Sequence, residues 1–269
     1  MDQYVELTYT QVALATLLIV INGGISVALH LRLERSLAVA GLRTVVQLLL
    51  VGLVLEWVFR VDRWYVVLGL ATIMTLIAGA TAASRNQRRY PGIWINTILS
   101  VWASAWIVTS FALFAVLQGI DTWYQPQYAI PLLGMVLGNT LNGVSVGLNT
   151  LTESLVTRRE QVESKLALGA TRWEAARGPL RHAVRTGMIP IINSMMVVGL
   201  VSLPGMMTGQ LVSGMAPIQA VKYQIVIMFL IASATAFGTV AVVLLSFLRL
   251  FNTDHQFLHR RISGTNRVP

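Results

Sequence analysis

Seven long apolar runs, at residues 8–30, 37–59, 64–83, 93–118, 129–152, 187–211 and 223–248, dominate this chain of 269 residues. The hydrocarbon core of a bilayer takes about 20 apolar residues per helix. In lipid, backbone groups must be paired within the protein, and helices do this within one segment. The runs are too long and too evenly apolar for barrel strands. The predicted fold is therefore an all-α membrane protein: a polytopic bundle of seven transmembrane helices in a single domain over residues 1–269.

Composition agrees, with 55% hydrophobic and only 12% charged residues, against about 25% charged in an ordinary soluble domain. There are no cysteines, which excludes disulfides, thiolate metal sites and thiol catalysis. The N-terminus carries Asp2 and Glu6 but no Lys or Arg before the first run. A signal peptide wants a basic start and a shorter apolar region, so the first run reads as a retained span.

The net charge of +9 separates by loop. Segments 31–36, 84–92, 153–186 and 249–269 together hold sixteen Lys and Arg, whereas the N-terminus and segments 60–63, 119–128 and 205–222 hold three. Positive charge is retained on the cytoplasmic side. The expected topology is thus an N-terminus outside and a C-terminus in the cytoplasm of a plasma (inner) membrane. The charge balance points to the bilayer, not to nucleic acid. The tail 251–269 is polar and short, and is expected to fray.

The largest basic loop, 153–186, reads as helix, sharp turn, helix. Residues 153–168 continue the fifth span, and Gly169-Ala170 suit the left-handed turn after a helix. Thr171 and Glu174 make a T-x-x-E capping box for a second helix, which Gly178-Pro179 is expected to cut. Trp173 sits at the turn. Two readings fit this elbow: insertion into a groove on a partner protein, or an amphipathic helix on the membrane surface.

The stretch "ESKLALGAT" resembles the cytoplasmic signature of ABC transporter permeases. Glu163, Gly169 and Ala170 match it, while Ser164 and Lys165 replace two alanines. "PLLGMVLGNTLNGVSVGLN" (131–149), "LALGATRWEA" (166–175), "VGLVSLPGMMTGQ" (198–210) and "AVKYQIVIMF" (220–229) together resemble the FetB-type permease family. That resemblance implies a permease homodimer served by a separate ABC ATPase, which would bind ATP and Mg. In it, Glu163, Leu168, Gly169, Ala170, Thr171, Arg172 and Trp173 would form the coupling loop. Bacterial members imply iron export, and plant relatives imply aluminium tolerance with a nucleotide sugar as a proposed cargo. The chain has no G-x-x-x-x-G-K-[ST], so it has no P-loop for ATP phosphates and no cofactor of its own is expected.

Polar residues inside spans mark candidate pathways. Asn139, Asn142, Asn149 and Glu153 share one helical stripe, readable as interhelical glue at a subunit interface or as pathway lining. Gly134/Gly138 and Gly143/Gly147 are two G-x-x-x-G pairs that permit close helix approach. Pro204 and Gly205 are expected to break the sixth span, with Met206, Met207 and Gln210 following. Met206 and Met207 are either soft metal ligands or apolar filler. Arg43 and Gln47 lie one turn apart in the second span. Arg43 either snorkels or pairs structurally, or it contacts cargo. The four histidines, His30, His182, His255 and His259, fall at or beyond span ends and read as solvated. No paired carboxylates or H-E-x-x-H motif indicate an enzyme. The expected function is a permease subunit exporting metal ion by alternating access. A permease for an organic cargo and a non-transporting membrane scaffold are the alternatives.

Overall fold

The computed structural model describes residues 8–116 and 124–264. The expectations for Asp2, Glu6, the start of the 119–128 loop and the last five tail residues lie outside them. Nine α-helices occur among the described residues: α1 (Tyr9–Ala28), α2 (Glu34–Val61), α3 (Trp64–Ser84), α4 (Ile93–Phe111), α5 (Pro126–Thr157), α6 (Arg159–Ala167), α7 (Arg172–Val197), α8 (Gly205–Val212) and α9 (Pro217–Leu250). Proline opens both α5 and α9, where its missing N–H costs no helical hydrogen bond. A π-helical turn, Ala112–Val116, extends α4.

Helices α3, α4, α5, α7 and α9 build the core, and α5 lies at its centre against the other four. Its Val144, Leu148, Leu151 and Leu155 are fully buried. Helices α1 and α2 pack on each other. The α2 end joins the body where Val58 meets Val67, Ala129 and Ile130. The outward faces of α1 and α2 are almost wholly apolar and exposed, as lipid-facing helices require.

Six described helices, not seven, are long and apolar enough to cross a membrane. The run 187–211 does not form one span. Its first part is the end of α7, whose first half is basic. The helix stops at Val197, Gly199 takes φ +83°, and its N–H donates to the Ser202 carbonyl at 2.9 Å. Left-handed backbone of this kind cannot continue an α-helix. The break opens at Val198 and Gly199, ahead of the expected position, and runs to Pro204, the non-helical N-cap of α8, with Gly205 its first residue. Gly178 and Pro179 do not cut the second helix of the loop. Pro179 is buried inside a continuous α7, whose packing along α5 and α9 keeps it helical through the lost hydrogen bond.

Three glycines explain that packing. Gly143 and Gly147 of α5 and Gly187 of α7 meet beside Thr235 and Thr239 of α9, with backbone against backbone. Of the other pair read from the sequence, Gly138 faces open space and Gly134 only touches Met74.

The C-terminal segment does not fray within the described residues. Phe251 and Phe257 are buried and stacked with centroids 5.0 Å apart. Ser263–Gly264 pairs antiparallel with Arg88–Arg89. Aromatic side chains in an otherwise polar tail supply the apolar area that holds it down.

Candidate functional site

Two candidate sites occupy opposite ends of the bundle. At one end α6 and α7 form an elbow. Arg158 kinks the chain at the end of α5, so the helix over 153–168 is two pieces and not one. Gly169 adopts φ +90°, and its N–H donates to the Leu166 carbonyl at 3.0 Å. The Thr171 N–H donates to Glu174 Oε2 at 2.8 Å, and the Glu174 N–H returns to Thr171 Oγ1 at 3.4 Å. Hydrogen bonds from the Thr171 backbone and hydroxyl hold the Glu174 carboxyl below its ordinary value. At the tip, Leu168 is 88% exposed. An aliphatic side chain left uncovered on a short capped turn is available to a partner's pocket.

The tail braces this elbow from behind, which sequence reading missed. Trp173 packs on Phe247 (4.2 Å between centroids), Phe247 on Phe251 (5.0 Å), and Phe251 on Phe257. The Arg172 guanidinium donates to the Asn252 carbonyl at 3.0 Å, and its backbone N–H donates to His255 Nδ1 at 3.2 Å. Glu163 accepts from Arg159 Nε at 2.8 Å and lies 3.5 Å from His259 Nδ1. His255 and His259 are thus contacts of the elbow, where the sequence suggested solvated residues. Phe257→Ala is expected to cost about 3 kcal/mol of stability and to loosen the elbow. Thermal unfolding would record the first effect, and faster tryptic cleavage after Lys165 and Arg172 the second.

The polar stripe of α5 is largely committed within the chain. Arg85 Nη1 donates to Asn142 Oδ1 at 2.9 Å, and the Gln87 N–H donates to Asn149 Oδ1 at 3.4 Å. Arg88 grips Glu153 with two bonds of 2.6 and 3.2 Å. Three members of the stripe therefore anchor the loop after α3. Next to it, the Tyr90 hydroxyl lies 2.7 Å from Ser246 Oγ and accepts from Asn96 Nδ2 at 3.2 Å. Burial pushes the Tyr90 phenol up from its ordinary value.

Asn139 behaves differently. It lies toward the end of the bundle remote from the elbow, with its Nδ2 donating to the Met135 carbonyl at 2.9 Å. A cavity of about 330 Å³ opens beside it between α5, α7, α8 and α9, lined by Asn139, Met206, Gln224 and Met228 among others, with Pro204 and Gly205 at its edge. Gln224 is 6% exposed, and its Oε1 accepts no hydrogen bond. A second cavity of about 320 Å³ shares Gln224 and Met228 and adds Met195 and Met207. Gln224 thus stands in the wall between the two. The sequence carried a signal for it, an isolated amide near the start of a long apolar run, which passed unread. A buried amide oxygen without a donor is costly, and a ligand in the cavity would reach this one only after the side chains around it shift. Among the described residues no group of three or more His, Asp or Glu could hold a metal ion. Any cation here would meet amide oxygen and thioether sulfur.

The remaining sequence candidates do not join this site. Arg43 and Gln47 are exposed on α2, away from both cavities. The Gln210 Oε1 is buried without a partner on α8, outside the cavity lining.

Six apolar membrane-length helices and a helical core mark a multi-pass, all-α membrane protein. It belongs to the family described as an uncharacterised protein family, UPF0014, whose model matches residues 9–251. A UPF0014 membrane protein of Synechocystis is 41% identical over 85% of this chain and 88% of its own length. The probable iron export permease protein FetB of Escherichia coli is 32% identical over 94% of this chain and 96% of its own. The protein ALUMINUM SENSITIVE 3 of Arabidopsis thaliana is 30% identical over 86% of this chain and 83% of its own. No solved structure matches the chain.

Proposed function

We propose that this chain is the membrane-spanning permease subunit of an ATP-driven ABC transporter that exports a metal ion, with iron as cargo. The observation that carries the reading is the elbow. An exposed Leu168 rides on a turn capped by Thr171 and Glu174 and braced by Trp173 against Phe247. Such a rigid protrusion suits a cleft on a separate ATPase, and that subunit would bind ATP and Mg. The similarity to a probable iron export permease supplies the cargo. The chain itself is a transporter subunit and not an enzyme. It would work as a homodimer in the plasma (inner) membrane, with the N-terminus outside and the C-terminus cytoplasmic, the orientation that the loop charges favour. This makes α7, which packs along α5 and α9, a seventh crossing beside the six apolar ones.

In this reading ATP closes the ATPase dimer and moves the elbow. Helix α7 carries that motion along α5 and α9 to the cavity at Asn139 and Gln224. There the amide oxygens offer hard donors and Met206 and Met228 soft ones. The test is ATP-dependent uptake of ferrous iron into inverted vesicles that hold this chain and an ATPase subunit co-purifying with it. Uptake that vanishes with a hydrolysis-dead ATPase supports iron export. Absence of uptake from a complex that still hydrolyses ATP removes iron as the cargo. Gln224→Leu is expected to lower that uptake about tenfold, the effect of a single lost ligand bond of about 1.4 kcal/mol, with ATPase co-purification unchanged.

A further inference from the structure

A groove of about 880 Å³ runs along the outside of the bundle between α7 and α9. One wall carries Arg177, Arg181 and Arg185, four residues apart and so on one helix face. His182 lies beside them. The other wall is Val240, Val243 and Leu244 of α9. Among the described residues none of the three arginines is ion-paired with a carboxylate. The single acid in the lining, Glu174, is occupied by the Thr171 cap.

The depth of these arginines is fixed by packing. Trp173 stacks on Phe247 and Gly187 abuts Thr239, so α7 and α9 run antiparallel. Arg181 and Arg185 therefore lie beside the apolar Val243–Val240 stretch and not beyond the end of α9. Cations next to apolar, lipid-facing surface are costly unless an anion accompanies them. On the α9 side, exposed Phe237, Val240, Leu244 and Leu248 form a continuous apolar stripe leading out of the groove.

We infer that this groove is a binding site for one anionic phospholipid, its phosphate on Arg177, Arg181 and Arg185 and an acyl chain along Val240, Leu244 and Phe237. The occupant must be both anionic and long-chained. A free phosphate would satisfy the arginines and leave the aliphatic wall wet. A zwitterionic lipid brings its own ammonium against three guanidinium groups. The site stands on α7 and α9 geometry alone, and does not depend on which cargo the chain carries.

Native mass spectrometry of the purified full chain in neutral detergent tests this. Phosphatidylglycerol, phosphatidylcholine and glycerol phosphate are each added as probe. Phosphatidylglycerol is expected to stay bound where phosphatidylcholine is lost. The triple variant Arg177→Gln, Arg181→Gln, Arg185→Gln is expected to bind it about a hundredfold more weakly. Val240→Trp, which fills the aliphatic wall from an exposed position, should block the lipid without touching the arginines. Because all four positions are exposed, each variant is expected to fold. Equal retention of the two lipids overturns the proposal, as does undiminished binding by the triple variant. Displacement of the lipid by millimolar glycerol phosphate would also overturn it, and would identify a phosphate-ester site instead.

Discussion

Gly187→Val is expected to abolish the folded protein. A Cβ at this position would lie 2.6 Å from Thr239 Cγ2, 2.8 Å from the Gly143 carbonyl oxygen and 3.2 Å from Gly147 Cα. Two of those three neighbours are backbone and cannot rotate away. Overpacking ordinarily costs about 1–3 kcal/mol when side chains can yield. Here the helices themselves must part, and α7 would separate from α5 and α9 along the whole core. Size-exclusion chromatography after detergent extraction should show aggregate in place of a single species. Gly138→Ala is the matched control, since that glycine has nothing within 4 Å of a built Cβ. It should extract normally and gain about 0.5–1 kcal/mol from the better helix former. If Gly187→Val runs as a stable single species, the three-glycine junction does not hold the core.

Gly169→Pro is expected to leave the bundle intact and stop coupling. Its φ of +90° is far from the value near −65° that proline's ring enforces. The substitution also removes the N–H that donates to the Leu166 carbonyl. No atom lies within 4 Å of a Cβ built at this position, so the damage is confined to the turn. Membrane insertion should match the parent protein, and thermal stability should fall only by the strain of the turn, about 1–3 kcal/mol. ATP-driven transport in vesicles should fall at least about tenfold, which a misplaced coupling contact of only about 1.4 kcal/mol would produce. Gly169→Ala should show a weaker version, because a left-handed alanine costs about 1–2 kcal/mol. Full transport by the proline variant would remove the elbow from the mechanism, and the permease reading would lose its main support.

The two variants separate a global role from a local one, and the same division runs through the whole chain. What was readable from residue order is what depends on neighbours a few positions away. Apolar runs of membrane length give helices because lipid leaves the backbone no other partner within the segment. The elbow was equally legible. Gly169 and the Thr171–Glu174 pair are contacts over three residues or fewer, and their chemistry needs no tertiary help.

Most of the failures involve distance along the chain. The run 187–211 has the hydropathy of a span, yet a window average does not see Gly199 turn left-handed and end α7. Asn142, Asn149 and Glu153 were correctly placed on one face. Their partners, Arg85, Gln87 and Arg88, come from 57 to 65 residues earlier, and periodicity within α5 says nothing about what meets that face. Of the four glycines in α5, arranged as two G-x-x-x-G pairs, only Gly143 and Gly147 touch other backbones. The tail looked polar enough to fray because its two buried phenylalanines gain their stability from Phe247 and Trp173, in other elements. Gln224 was one amide in an apolar run until the packing of α5, α7, α8 and α9 set its side chain in the lining of two cavities and left its buried oxygen without a partner. Residue order settled the helical class, the membrane and the capped turn from Gly169 to Glu174, since local hydrogen bonding and the absence of water in lipid decide those alone. Which faces meet, and where a buried polar atom is left without a partner, was decided by helix packing, because a close approach of two backbones depends on both surfaces at once.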